Sequence, residues 1–197
     1  MHSRRLACFV LGVWLAGGVF MAWVATENFR SVDRLLDHSH PAASLEFRSL
    51  GPQASRLLLR YAASEQNRYF FENWEVAQII LGILFFLFLL FGTHEDKFSL
   101  IMALVLLIIT VGQRLAVTPE LVALGRSLDF LPPDTAAAER TKFMLLHRGY
   151  EAIEAVKWVV VLILAGRLFI TRRRKASPSE LKQLDMIKKT NYRPADH

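Results

Sequence analysis

The chain has 197 residues, 53% of them hydrophobic and 21% charged, with 14 Phe, 4 Trp and a formal net charge of +6. That composition, with a positive mean hydropathy, excludes a disordered chain, a collagen-like repeat and a disulfide scaffold. Cys8 is the sole cysteine, so no intramolecular disulfide and no Cys-based zinc site can form.

Residues 6–25 are apolar throughout and follow Arg4-Arg5, which reads as a first membrane span. A cleaved signal peptide is the alternative, but its apolar core is shorter, about 7 to 15 residues, and the cut sites here would place Trp23 or Thr26 where small residues are needed. Beyond the span, Phe29, Val32, Leu35 and Leu36 keep helical spacing, so the helix is expected to run outward until His38-Ser39-His40-Pro41 stops it. His38 and His40 then sit in a solvated turn before proline.

Between Pro52 and Gly82 there is neither Gly nor Pro. Pro52 suits a first helical turn, and Leu57, Leu58, Tyr61 and Ala62 form a stripe leading into a second span at residues 74–93. One helix over residues 53–91 would be roughly 58 Å long, nearly twice the hydrocarbon thickness. It must protrude, tilt, or break near residues 64–67.

A third span covers residues 98–117, after which Thr118 as cap and Pro119 in the first turn open a short helix. Asp134, following Pro132-Pro133, caps a last helix running to about Arg173, and its residues 152–171 form a fourth span that carries Glu154, Lys157 and Arg167. Ser177-Pro178-Ser179-Glu180 is a capping box ahead of Leu181, Leu184 and Ile187. With Lys182, Lys188 and Lys189, that segment reads as an amphipathic helix on the anionic inner leaflet, a frayed tail being the plain alternative.

Positive charge near span ends stays cytoplasmic. Arg4, Arg5 and the Arg172-Arg173-Arg174-Lys175 run therefore place both termini inside, make residues 92–97 an inner hairpin and put the helical segments 26–71 and 118–148 outside. The expected fold is an all-α integral membrane four-helix bundle in the plasma (inner) membrane, with helices two and four extended beyond the bilayer. Residues 1–175 form the four-span domain and 176–197 a basic cytoplasmic tail.

Polar residues gather at the outer ends of the spans. They include Glu27 and Asn28; Glu72, Asn73, Glu75 and Gln78; Gln113 and Arg114; and His147, Arg148, Glu151, Glu154 and Lys157. Charge at membrane depth is costly, so these groups should face one another as a shared core. His147, Glu151 and Glu154 share a helical face at i, i+4 and i+7, and Glu72 and Glu75 stand at i and i+3 on another helix. The favoured reading is an ion-pair network in which Arg68, Arg114, Arg148 and Lys157 neutralise the acids.

A transition metal held by His147, Glu151, Glu154 and Glu75 is the rival, although the spacing is not the Glu-x-x-His signature of di-metal bundles. A haem cannot use both His94 and His147, which the topology separates by something near 30 Å, and only ligation through His147 alone survives. No cofactor is therefore expected, with haem or a transition metal as the alternatives. The sequence has no nucleophile elbow, phosphate-cradling loop or zinc-protease helix, and no soluble basic face for nucleic acid. Gly17-Gly18 reads as a close helix contact.

Several short motifs carry a family resemblance. Val13-Trp14-Leu15-Ala16-Gly17-Gly18-Val19-Phe20, Phe70-Phe71-Glu72-Asn73-Trp74-Glu75, Thr118-Pro119-Glu120 and Phe143-Met144-Leu145-Leu146-His147 resemble the four-span membrane family that includes transmembrane protein 205. The likeness runs over residues 11–170, with residues 33–68 as an elaboration. The Trp-x-x-Gly pattern is also similar to those of copper-resistance D-type membrane proteins and small haem-binding protoporphyrinogen oxidases. The resemblance implies four transmembrane helices and no agreed enzymatic reaction. The expected role is a non-enzymatic accessory or interaction subunit, contacting the lipid bilayer and other membrane subunits or itself; the alternative is a haem- or metal-binding redox or transport protein working through the outer polar cluster.

Overall fold

The computed structural model describes residues 2–92, 97–132 and 135–170, and every regular element among them is helical. The elements are α1 (His2–Asp37), α2 (Pro41–Leu50), α3 (Pro52–Gly92), α4 (Lys97–Gly112), α5 (Thr118–Leu128) and α6 (Ala137–Ile170), with a π-helical stretch, Gln113–Val117, joining α4 to α5.

α1 stops at Asp37, ahead of the His-Ser-His-Pro turn, as its periodicity predicts. The following α2 falls within the outer segment 26–71 expected to be helical, although the sequence reading sets no separate bounds for it. Pro41 occupies its first turn, and His40 caps it by accepting the Ala42 N–H at its Nδ1, 3.3 Å away. Gly51 then turns the chain into α3 at φ +86°, a conformation that only glycine adopts without strain, while its N–H closes α2 on the Phe47 carbonyl at 3.0 Å. α3 is one unbroken helix of 41 residues, about 60 Å long. The break considered near residues 64–67 does not occur.

The largest departure lies after α4. Instead of ending so that Thr118 can cap a new helix, the chain continues as one rod from Lys97 to Leu128. Thr118 does not cap; its backbone N–H reaches back five residues to the Gln113 carbonyl. Pro119 explains the widened turn, because proline lacks an N–H and its ring crowds the carbonyl four residues earlier. A π turn placed just before it relieves both constraints without stopping the helix.

Three helices are long and apolar enough to cross a membrane, namely Arg4–Asp37, Pro52–Phe91 and Lys97–Leu128. Only 33%, 28% and 22% of their most apolar stretches are buried within the protein, so most of that apolar surface faces outward, as contact with lipid requires. α6 is less purely apolar than these three, because Glu154, Lys157 and Arg167 interrupt its apolar part. It still packs into the common core, where Val161, Leu164 and Leu168 meet Leu11 and Trp14 of α1, Phe85 of α3 and Leu106 of α4.

Gly17 and Gly18 set how closely α1 approaches its neighbours. A Cβ at Gly17 would overlap the Trp74 indole, and one at Gly18 would sit 2.7 Å from Trp158 Nε1. Small residues at a helix interface admit such contacts, in line with the sequence reading of this pair. The expected inner hairpin with His94, the Asp134 cap, the Arg172 to Lys175 run and the tail with its capping box lie outside the described residues.

Candidate functional site

Beyond the apolar core, α3, the π-helical stretch, α5 and α6 bring polar side chains into one buried knot. On α6, Tyr150, Glu154 and Lys157 continue the face that carries Val161 and Leu164 into the core, since all recur at three- or four-residue steps. Lys157 is fully buried, and its ammonium donates to Glu154 Oε1 and, at 2.6 Å, to Gln78 Oε1. Gln78 Nε2 completes the triangle by donating to Glu154 Oε2 at 3.2 Å. Gln113 Nε2 donates to Glu154 Oε1 at 3.1 Å, so the carboxylate joins residues from three helical segments.

The second carboxylate, Glu75, is also fully buried. Its Oε1 accepts from Thr118 Oγ1, and its Oε2 lies 3.5 Å from Arg114 Nη1. The buried Tyr150 hydroxyl stands beside Glu75 and Gln113 but meets neither in hydrogen-bonding geometry. Two carboxylates thus face two cations, with Gln78, Gln113 and Thr118 donating to the carboxylate oxygens, while among the described residues Gln113 Oε1 and the Tyr150 hydroxyl make no hydrogen bond. The charge of the knot cancels internally, which is the condition for keeping ions out of water.

The geometry divides the sequence-derived candidates. Glu75, Gln78, Gln113, Arg114, Glu154 and Lys157 come together. Glu72 is half-buried outside the knot, Arg148 is exposed, and His147 pairs with Glu151 at 3.3 Å on an exposed part of α6. Arg68 turns elsewhere, to Glu65 and to Asp129 at 2.8 Å. Among the described residues no three His, Cys, Asp or Glu side chains gather as a metal site, so His147, Glu151, Glu154 and Glu75 do not converge on a common centre.

The reason is rotational. At about 100° per residue, Tyr150 and Lys157 lie roughly 60–80° to one side of His147 and Glu151 lies roughly 40° to the other, with Glu154 between them. Glu154 alone belongs to both faces, and only its inward neighbours are buried. Tyr150 and Thr118 are the members that the sequence reading missed. Tyr150 stands four residues before Glu154 and was legible from that spacing; Thr118 was hidden by its resemblance to a helix cap.

A second, more exposed knot ties α3 to the end of α5. Glu65 accepts from Arg126 Nε and Nη2, each at 3.0 Å, and also from Arg68, which reaches on to Asp129. These residues lie outside the apolar stretches, and the Arg126 contact, followed by that of Arg68, holds the Glu65 carboxyl well below the ordinary carboxylate range, at about 2. Nearby, Asn28 Nδ2 donates to Asn67 Oδ1 at 2.6 Å and Asn67 Nδ2 to the Ala25 carbonyl at 3.1 Å, joining α1 to α3.

No known protein family, no characterised protein and no solved structure matches this chain.

Proposed function

We propose that the protein is a four-span accessory or interaction subunit of a membrane assembly, with both termini cytoplasmic and the beginnings of α3 and α6 standing outside the bilayer. The resemblance to the four-span family that includes transmembrane protein 205 is part of this reading. One observation carries it: helical segments beyond the apolar stretches keep large apolar side chains on their surface, including Leu45, Leu58, Tyr69 and Leu145. Apolar side chains exposed where lipid does not cover them support contact with another protein where they lie together in one patch. The self-neutralised knot supports the same reading, because charges committed to one another serve stability before chemistry.

α6 counts as the fourth span in this proposal. Its three interrupting charges do not oppose that, since Glu154 and Lys157 are paired inside the protein and the Arg167 guanidinium stacks over the Phe98 ring at 4.6 Å. Reporter fusions at Lys97 and at the C-terminus should both register cytoplasm, and a secreted Lys97 fusion would refute the topology. For the role itself, a photo-crosslinking residue at Leu45 or Leu145 in native membranes should give a discrete adduct that one at Glu139 does not. Purified protein carrying stoichiometric haem or metal would instead favour the redox or transport reading, through His147 or the polar cluster.

A further inference from the structure

A crevice of about 550 Å³ opens among α1, α3, α5 and α6, inside the range of small-molecule sites. Small residues on α1, Gly18, Ala22 and Ala25 at four- and three-residue steps, leave room for it beside Met21 and Thr26. Gly18, Trp74 and Trp158 define one end, where the indoles pack against the glycine pair. Phe29, Arg68 and His147 define the other, about 16 Å away along α1. Gly18 and Trp158 belong to the apolar stretches, whereas Arg68 and His147 stand beyond them.

The lining is therefore graded. Aromatic and small apolar groups enclose the deep end, while the mouth offers both signs of charge, Arg68 against Glu151, with the His147 imidazole between polar and apolar surroundings. Arg68 is already committed to Glu65 and Asp129, so the mouth holds no surplus cation to select an acidic ligand. Glu154 also borders the crevice, but the knot occupies its oxygens. A deep apolar end inside the bilayer region and a mixed-charge mouth outside it match one molecular order, a hydrocarbon chain followed by a zwitterionic head.

We infer that this crevice holds an acyl chain of a membrane phospholipid, with the chain end against Trp74 and Trp158 and the headgroup at the level of Arg68 and His147. The source is the surrounding bilayer, because the deep end lies within the lipid-facing part of the helices. The site is independent of the accessory role proposed above: a subunit with no partner could hold the lipid, and a partnered one could lack it.

The two lining indoles supply the probe. Trp23 is exposed on α1 and would report bulk lipid, while Trp14 is fully buried in the core, so the measurement uses the Trp23→Phe protein. Reconstituted in zwitterionic phosphatidylcholine vesicles with chains brominated near the middle, it should lose at least half of its tryptophan fluorescence relative to unbrominated vesicles. Ala22→Phe or Ala25→Phe added to that background fills the crevice and should restore at least half of the loss. Equal quenching in filled and open proteins would overturn the inference, as would absence of quenching in the open one. Quenching by a few mole per cent of brominated free fatty acid but not by brominated phospholipid would overturn the assigned source. Should neither filled variant fold, mass analysis of the Trp23→Phe protein in mild detergent decides: about one retained phospholipid per chain supports the site, and none rejects it.

Discussion

The two polar knots use the same chemistry in different surroundings. In the inner one, Lys157, Glu75 and Gln78 are fully removed from solvent, and each ion has its partner within the protein. In the outer one, Arg126 keeps 57% of its side chain exposed and Glu65 keeps 30%, even though their contact is bidentate. Water already solvates Arg126 and Glu65, so pairing those two adds little, typically about 0.2–1 kcal/mol, while Arg68 and Asp129 are more enclosed. Lys157 and Glu75, fully buried in the inner knot, have no such alternative. Removing one partner there strands the other, at a cost of about 3–5 kcal/mol. Contact geometry alone would rank the pairs as equals; exposure separates them.

The sharpest break of that contrast is Glu154→Gln, which leaves the buried Lys157 ammonium without its carboxylate. It should destabilise the protein by about 3–5 kcal/mol, read as a lowered thermal midpoint in detergent without added metal. Adding Lys157→Met should recover part of the loss, because an apolar pair avoids the stranded charge. Glu75→Gln should cost less, since Arg114 is partly exposed and can turn to water, and Glu151→Gln should leave the midpoint nearly unchanged. Unchanged or raised stability in all three glutamine variants would overturn the structural network and bring an ion-binding site forward.

Next in size is the glycine contact that brings α1 against both tryptophans. Gly17→Ala places a methyl group where the Trp74 indole stands, and overpacking of this kind costs about 1–3 kcal/mol. Gly12→Ala, whose added methyl meets nothing within 4 Å, is the matched control and should be neutral or slightly stabilising through helix propensity. Equal midpoints for the two variants would show that α1 does not seat closely on Trp74.

Much of this arrangement could be read from the chain, and the failures have physical causes. The apolar stretches, the outward continuation of α1 and the gathering of polar residues follow from hydropathy and from the cost of charge in lipid, which act locally. The rotation of α6 is different. His147, Glu151 and Glu154 share a face by spacing, but which side of that face turns inward depends on how α6 seats against α3 and α4, a tertiary matter. Likewise the cost of unpaired charge groups Arg68 with the inner acids, yet its reach is captured by Asp129 just past the end of α5. Thr118-Pro119 carries a standard start signal for a helix, and the π turn overrides it by absorbing Pro119 so that the rod runs on to Leu128.

In the outer knot the first test is Arg68→Ala. Arg68 is the least exposed of its members, joins Glu65 to Asp129, and packs its guanidinium near Gly125. Its loss should cost about 1 kcal/mol or more, above the range of exposed pairs because Arg68 and Asp129 are mostly enclosed, and still below Glu154→Gln. A midpoint shift as large as that of Glu154→Gln would erase the contrast between the knots.

The smallest expected effect is a pH dependence, and its sign follows from linkage. The Glu65 carboxyl titrates at about 2 in the folded protein, against an ordinary value of 4.5. A group whose folded pKa is lowered stabilises the protein fully above its unfolded value and loses that contribution as pH falls through the folded one. The thermal midpoint of the parent should therefore exceed that of Glu65→Gln at neutral pH by a small margin, because Arg126 is largely solvated. That margin should begin to shrink below about pH 4.5 and approach its minimum near pH 2. Referring each measurement to Glu65→Gln at the same pH removes the titration of the other carboxylates. A margin that grew on acidification would mean that Arg126 and Arg68 do not hold Glu65 ionised, and the outer knot would then be an accident of proximity.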